Sequence, residues 1–171
     1  VSSVLAASQS TYGKGFEKGV SWKPYIPLKR TTFVQFDPES YLDDYAYLAA
    51  VPTSVFYNKK DDQLFTSPLL FYQDSIQNMK DEERSLNARQ GIDYFMDDWI
   101  GYCNQDLDQM TLINVPSEKL NDNWVADNIT SIQETDPYVL ANKIALHDWS
   151  YAENAVVATI EESYEKPANR T

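Results

Sequence analysis

The side chains best suited to chemistry are carboxylates. Asp37, Glu39, Asp43 and Asp44 cluster directly after the apolar, β-branched run Thr31-Thr-Phe-Val-Gln-Phe36. Open α/β sheets gather ligands beyond the carboxyl ends of their strands, and hard cations such as calcium take oxygen ligands. The four acids are therefore the candidate metal ligands, and calcium is the cofactor they would suit, although no EF-hand spacing occurs. Paired carboxylates set roughly 5–9 Å apart can also run glycoside hydrolysis, with Asp37, Asp43 or Asp44 as the groups to do it. The competing reading is a capped helix start with solvated acids, because Ser40 stands where a cap belongs. Further acidic pairs occur at Asp61 and Asp62, Asp97 and Asp98, and Asp106 and Asp108.

Other chemistries find little support. The sole histidine, His147, lies beside Asp148 and Trp149, where it suits a helix C-terminus. One histidine and one cysteine cannot make an ordinary zinc site. The chain contains neither Gly-x-Ser-x-Gly nor a phosphate-loop pattern, and the spaced Gly13, Gly15 and Gly19 follow no strand signal. Cys103 falls on an apolar stripe and reads as a buried thiol. The expectation is a protein that is not an enzyme and needs no cofactor.

Composition narrows the partners. The 171 residues include 26 acidic and 14 basic side chains, a formal charge of −12. Nucleic-acid binding requires clustered cations, and an anionic bilayer would repel this chain. No run reaches the roughly 20 apolar residues that span a bilayer, so neither nucleic acid nor membrane insertion is expected. A single cysteine excludes an internal disulfide. The opening VSSVLAASQSTYGKG reads as a mature terminus left after signal-peptide removal, which implies an extracellular or cell-surface setting. In that setting Asn128-Ile-Thr130 and Asn169-Arg-Thr171 are glycosylation sequons. Aromatics make up 13% of the chain, with twelve tyrosines, and such residues build large cores or adhesive surfaces.

These groups must be positioned by local structure. Residues 1–29, with three glycines, Pro24 and Pro27, read as an extended arm or linker lying on the body through Trp22, Tyr25 and Ile26. Residues 31–36 are a strand. Tyr41, Leu42, Tyr45, Leu48 and Ala49 recur at helical spacing up to Pro52. Residues 53–57 and 63–66 flank a polar turn, as in a hairpin, and residues 68–72 form a buried strand. Ile92, Phe95, Met96, Trp99, Ile100 and Cys103 mark one stripe of a long amphipathic helix. Residues 110–115 are the next strand, 117–135 a polar irregular stretch, and 155–160 a final strand. Asp136 and Pro137 open the last helix. This alternation predicts an α/β fold with three layers: a mainly parallel sheet flanked by helices, an added β-hairpin and an N-terminal arm. Residues 30–162 form the single domain and 163–171 a polar tail.

Two segments carry a resemblance. Tyr41-Leu-Asp-Asp-Tyr-Ala-Tyr-Leu-Ala-Ala-Val-Pro52 with Ser67-Pro-Leu-Leu-Phe71 resembles a unit of bacterial and archaeal cell-wall-binding repeat domains. Asp136-Pro-Tyr-Val-Leu-Ala-Asn-Lys-Ile-Ala-Leu-His-Asp-Trp149 with residues 155–159 is similar to the helix and strand that open a following unit. The match in pattern covers roughly residues 31–160 and lacks the glycine-rich loops of those units. The whole chain also resembles the N-terminal region of large archaeal surface proteins, with residues 41–56, 85–99 and 109–116 carrying the likeness. The resemblance implies an envelope-associated structural role.

Three functions follow as expectations. The first is a non-enzymatic surface domain that self-associates or binds envelope polymers or glycans, its arm adding to a neighbour's sheet edge. The second is a glycan- or cation-binding module. The third is a carboxylate-based glycan hydrolase.

Overall fold

The structure is a computed structural model, and it describes residues 25–60, 62–73, 82–149 and 152. Its elements in chain order are β1 (Tyr25–Pro27), β2 (Arg30–Gln35), α1 (Leu42–Ser54), β3 (Val55–Asn58), β4 (Gln63–Thr66) and β5 (Leu69–Tyr72). There follow α2 (Glu82–Tyr102), β6 (Leu107–Ile113), a 3₁₀ turn (Ser117–Lys119), β7 (Ala126–Ile132) and α3 (Pro137–Asp148).

The main sheet has four strands in the order β5-β2-β6-β7, and every neighbouring pair is parallel. Parallel sheets need cover on both faces, and the alternation of side chains along β2 and β6 supplies two apolar faces. On one face Val34, Ile113 and Ile132 meet Ala46 and Ala50 of α1 and Leu140 and Ile144 of α3. On the other, Phe33, Met110 and Leu112 meet Met96 of α2 and Cys103, the residue after it. Each large side chain buried this way contributes about 1.5–3 kcal/mol. The result is the expected three-layer α/β arrangement.

The hairpin belongs to a second, three-stranded sheet ordered β1-β4-β3. There β3 and β4 pair antiparallel, while β1 lies parallel to β4 with Ile26 opposite Phe65. Residues 25–27, expected as part of an extended arm lying on the body, thus form a strand of that body. Tyr25–Pro27 do add to a sheet edge, but within their own chain, because Leu28 N–H continues the pairing to the Thr66 carbonyl at 2.7 Å. Trp22 lies outside the described residues.

Three further expectations meet the structure differently. The polar stretch 117–135 holds a seven-residue strand, β7, paired along β6. Its Ala-Asp-Asn-Ile-Thr-Ser-Ile composition hides it, since among the described strands it has a partner on one side only and most of its side chains are exposed. Strand β6 begins at Leu107, ahead of the apolar run. Helix α1 continues through Pro52 to Ser54, although proline there removes a helical donor and crowds the carbonyl four residues back. The strand expected at 155–160 and the tail at 163–171 lie outside the described residues.

Candidate functional site

The turn after β2 is where the sequence places its acidic cluster. Asp37 accepts the backbone N–H groups of Glu39 at 2.9 Å and Ser40 at 3.2 Å, and the Ser40 hydroxyl donates to its other oxygen. Asp43 is almost wholly buried and accepts from the N–H groups of Asp37 at 3.2 Å and Asp44 at 3.0 Å. Two of the four acids thus fasten the strand-to-helix turn. Asp43 and Asp44 also occupy the first turn of α1, where negative charge is favoured. Glu39 is exposed and Asp44 half-buried. Among the described residues no three His, Cys, Asp or Glu side chains converge to hold a metal ion.

The neighbouring strand ends are fastened similarly. Asn114 has a left-handed backbone, φ 57°. Its side-chain amide donates to the Glu134 carbonyl and accepts from the Glu134 N–H, both at 2.9 Å. The Glu134 carboxylate meets Lys143 at 2.8 Å. Lys143 first, then the Thr135 and Asp136 N–H groups, hold that carboxyl at a pKa of about 2.

At the opposite, amino end of the sheet lies a shallow polar depression of about 370 Å³, lined by Arg30, Gln109, Asn128, Thr130, His147 and Asp148. Its floor follows from strand register. Arg30 of β2 stands opposite Gln109 of β6, which stands opposite Asn128 of β7, so the three form one row across adjacent strands. The next row on that face is Thr32, Thr111 and Thr130, and the next is the apolar Val34, Ile113 and Ile132. Apolar cover from α1 and α3 thus gives way to polar side chains where α3 ends at His147 and Asp148. Gln109 Nε2 donates to Thr111 Oγ at 3.0 Å and Asn128 Nδ2 to the Asp108 carbonyl at 3.5 Å. His147 Nδ1 lies 2.9 Å from Asp148 Oδ1.

The Arg30 guanidinium has no carboxylate within ion-pair distance among the described residues, whereas nearby Lys29 pairs with Asp106 at 3.1 Å. That pairing raises the Lys29 pKa. The His147–Asp148 pair resembles part of a nucleophilic triad, yet no hydroxyl or thiol is hydrogen-bonded to His147 among the described residues. The arrangement is suited to binding through a planar cation, two amides and a hydroxyl.

Of the residues singled out from sequence, only Asn128, expected as a glycan acceptor, and His147 fall in this depression. Asn169 lies outside the described residues. Arg30, Gln109 and Thr130 were not foreseen. A faint signal exists: a polar residue, any residue, then threonine recurs as Arg30-Thr-Thr32, Gln109-Met-Thr111 and Asn128-Ile-Thr130. Recognising it requires knowing that all three segments are strands in register. Comparison of the chain with protein-family models, with curated proteins and with solved structures found no match.

Proposed function

We propose that this chain is a non-enzymatic extracellular domain of a cell envelope, which self-associates or docks on envelope polymers. The observation that supports it most is the outer face of the α1–α3 layer. Leu48 is 52% exposed, Tyr138 65% and Leu146 76%, and the Tyr45 and Tyr138 rings, 5.7 Å apart, join the two helices. Exposed apolar side chains on two packed helices suit an interaction surface, and Leu86, Tyr94 and Tyr102 of α2 are exposed likewise. The hydrolase reading draws no comparable support, since Asp37 and Asp43 accept backbone N–H groups.

Sedimentation velocity across a concentration series, with co-sedimentation on isolated cell walls, tests this reading. Association or wall binding that is lost in a Leu48→Glu, Tyr138→Glu double variant is the expected result. A monomer at every concentration that also ignores walls would overturn it, as would release of reducing sugar ends that stops on Asp43→Asn. The cation-module alternative, through Asp37, Glu39, Asp43 and Asp44, predicts a higher Tm with added calcium.

A further inference from the structure

We propose that the amino-end depression recognises a carboxylate-bearing sugar, a uronic-acid residue of a glycan. The proposal deepens the polymer-binding part of the reading above and rests on it. Its starting point is Arg30, which meets no carboxylate among the described residues. In a chain with 26 acidic and 14 basic side chains, Lys29, Arg89 and Lys143 each meet a carboxylate. Arg30 meets none among the described residues, although it lies in a depression with polar neighbours. A guanidinium presents a planar fork that matches a carboxylate with two parallel hydrogen bonds.

The rest of the site selects what carries that carboxylate. Gln109 and Asn128 follow Arg30 in the same row, and with strands ~4.8 Å apart the three span roughly 10 Å. Each amide offers both a donor and an acceptor, as does the Thr130 hydroxyl. That mixture suits a ring bearing several hydroxyls. Asp148, which also lines the depression, would accept a hydroxyl proton but oppose a small multiply charged anion such as phosphate. Its engagement by His147 at 2.9 Å also makes it a poor seat for a ligand ammonium. The ligand therefore carries one carboxylate together with several hydroxyls. Because the depression is shallow and open, it fits an exposed sugar at the side or end of a polymer. Four of its groups stand on hydrogen-bonded parallel strands, so little ordering is needed on binding.

The test is an amide and side-chain NMR titration of the full chain with sodium glucuronate, glucose and sodium acetate. Glucuronate is expected to shift the Gln109 and Asn128 side-chain amides and the Thr130 backbone, with weaker effects from the other two probes. Arg30→Gln should weaken glucuronate binding roughly tenfold and leave any response to glucose unchanged. Arg30→Lys, which keeps charge but not the fork, should recover only part of the affinity. Thermal melts check that both variants fold. No glucuronate shift, equal shifts from acetate, or full affinity in Arg30→Gln would overturn the proposal. A sugar attached to Asn128 in native material would also overturn it, since that sugar would fill the depression. Association through the α1–α3 face should survive Arg30→Gln, so the two readings fail separately.

Discussion

Asn114 combines a left-handed backbone with two side-chain hydrogen bonds to the backbone of one residue, Glu134. Asparagine tolerates that conformation better than most residues with a Cβ, and its amide alone offers both a donor and an acceptor at that length. Replacing it by alanine should cost about 1–3 kcal/mol, because the bonds are lost and the strained backbone remains. A urea unfolding curve measures the loss. Glu134, the other half of this junction, makes a pH-dependent contribution. Its folded pKa is depressed from 4.5 to about 2, with the Lys143 hydrogen bond the largest cause. The carboxylate therefore stabilises the fold fully above pH 4.5, and that contribution disappears as pH falls towards 2. Urea midpoints between those limits should fall less steeply in Glu134→Gln than in the parent chain.

Each element states its limits with different clarity. Helix α3 is the plainest, since Asp136 accepts the N–H groups of Tyr138 and Val139, both at 2.9 Å, and Pro137 occupies the first turn. Asp136→Ala should destabilise the protein by about 1 kcal/mol, read from its thermal midpoint. Strand β7 is the least plain. Its pairing with β6 places Ile132 in the core, while Asp127, Asn128, Ile129 and Ser131 are exposed, so the usual apolar run is missing. The segment before it is anchored instead by Trp124, stacked on Phe33 with ring centroids 5.3 Å apart. Arg89 of α2 lies 4.9 Å from the Tyr72 ring centroid and 5.3 Å from that of Trp124. The Tyr72 hydroxyl also donates to the Lys119 carbonyl. Aromatic packing thus holds down a connection that contains only a short 3₁₀ turn.

The four-stranded sheet carries an apolar layer on each face, and Cys103 reports on one of them. It is 3% exposed, and burial pushes its thiol pKa up. Thiolate is the reactive form, so a maleimide reagent should label the native protein far more slowly than the urea-unfolded chain. Labelling at the unfolded rate under native conditions would contradict the packing of α2 on the sheet. The two ends of this sheet have different characters. Carboxylates and Asn114 fasten turns at the carboxyl end, whereas polar side chains remain open at the amino end. Ligand sites of open α/β sheets more often lie at the carboxyl end. Here Arg30, which meets no carboxylate among the described residues, is at the other end.

What the sequence alone determined was periodicity. Strand β2, the stripe of α2, the hairpin and the cap of α3 were all legible, because each depends on neighbours within a few positions. The alternation of these elements was enough to specify a parallel, three-layer fold. What only the tertiary structure decided was register and partnership. Asp37 and Asp43 look alike as cation ligands and as backbone acceptors until the turn is folded. Tyr25–Pro27 look like part of an extended arm until β4 lies beside them. Arg30, Gln109 and Asn128 are separated by long stretches of chain, and no local pattern says that they stand in one row. Hydrogen bonding between parallel strands sets that row, and it forms only when the intervening helices and loops have returned the chain to the same end of the sheet.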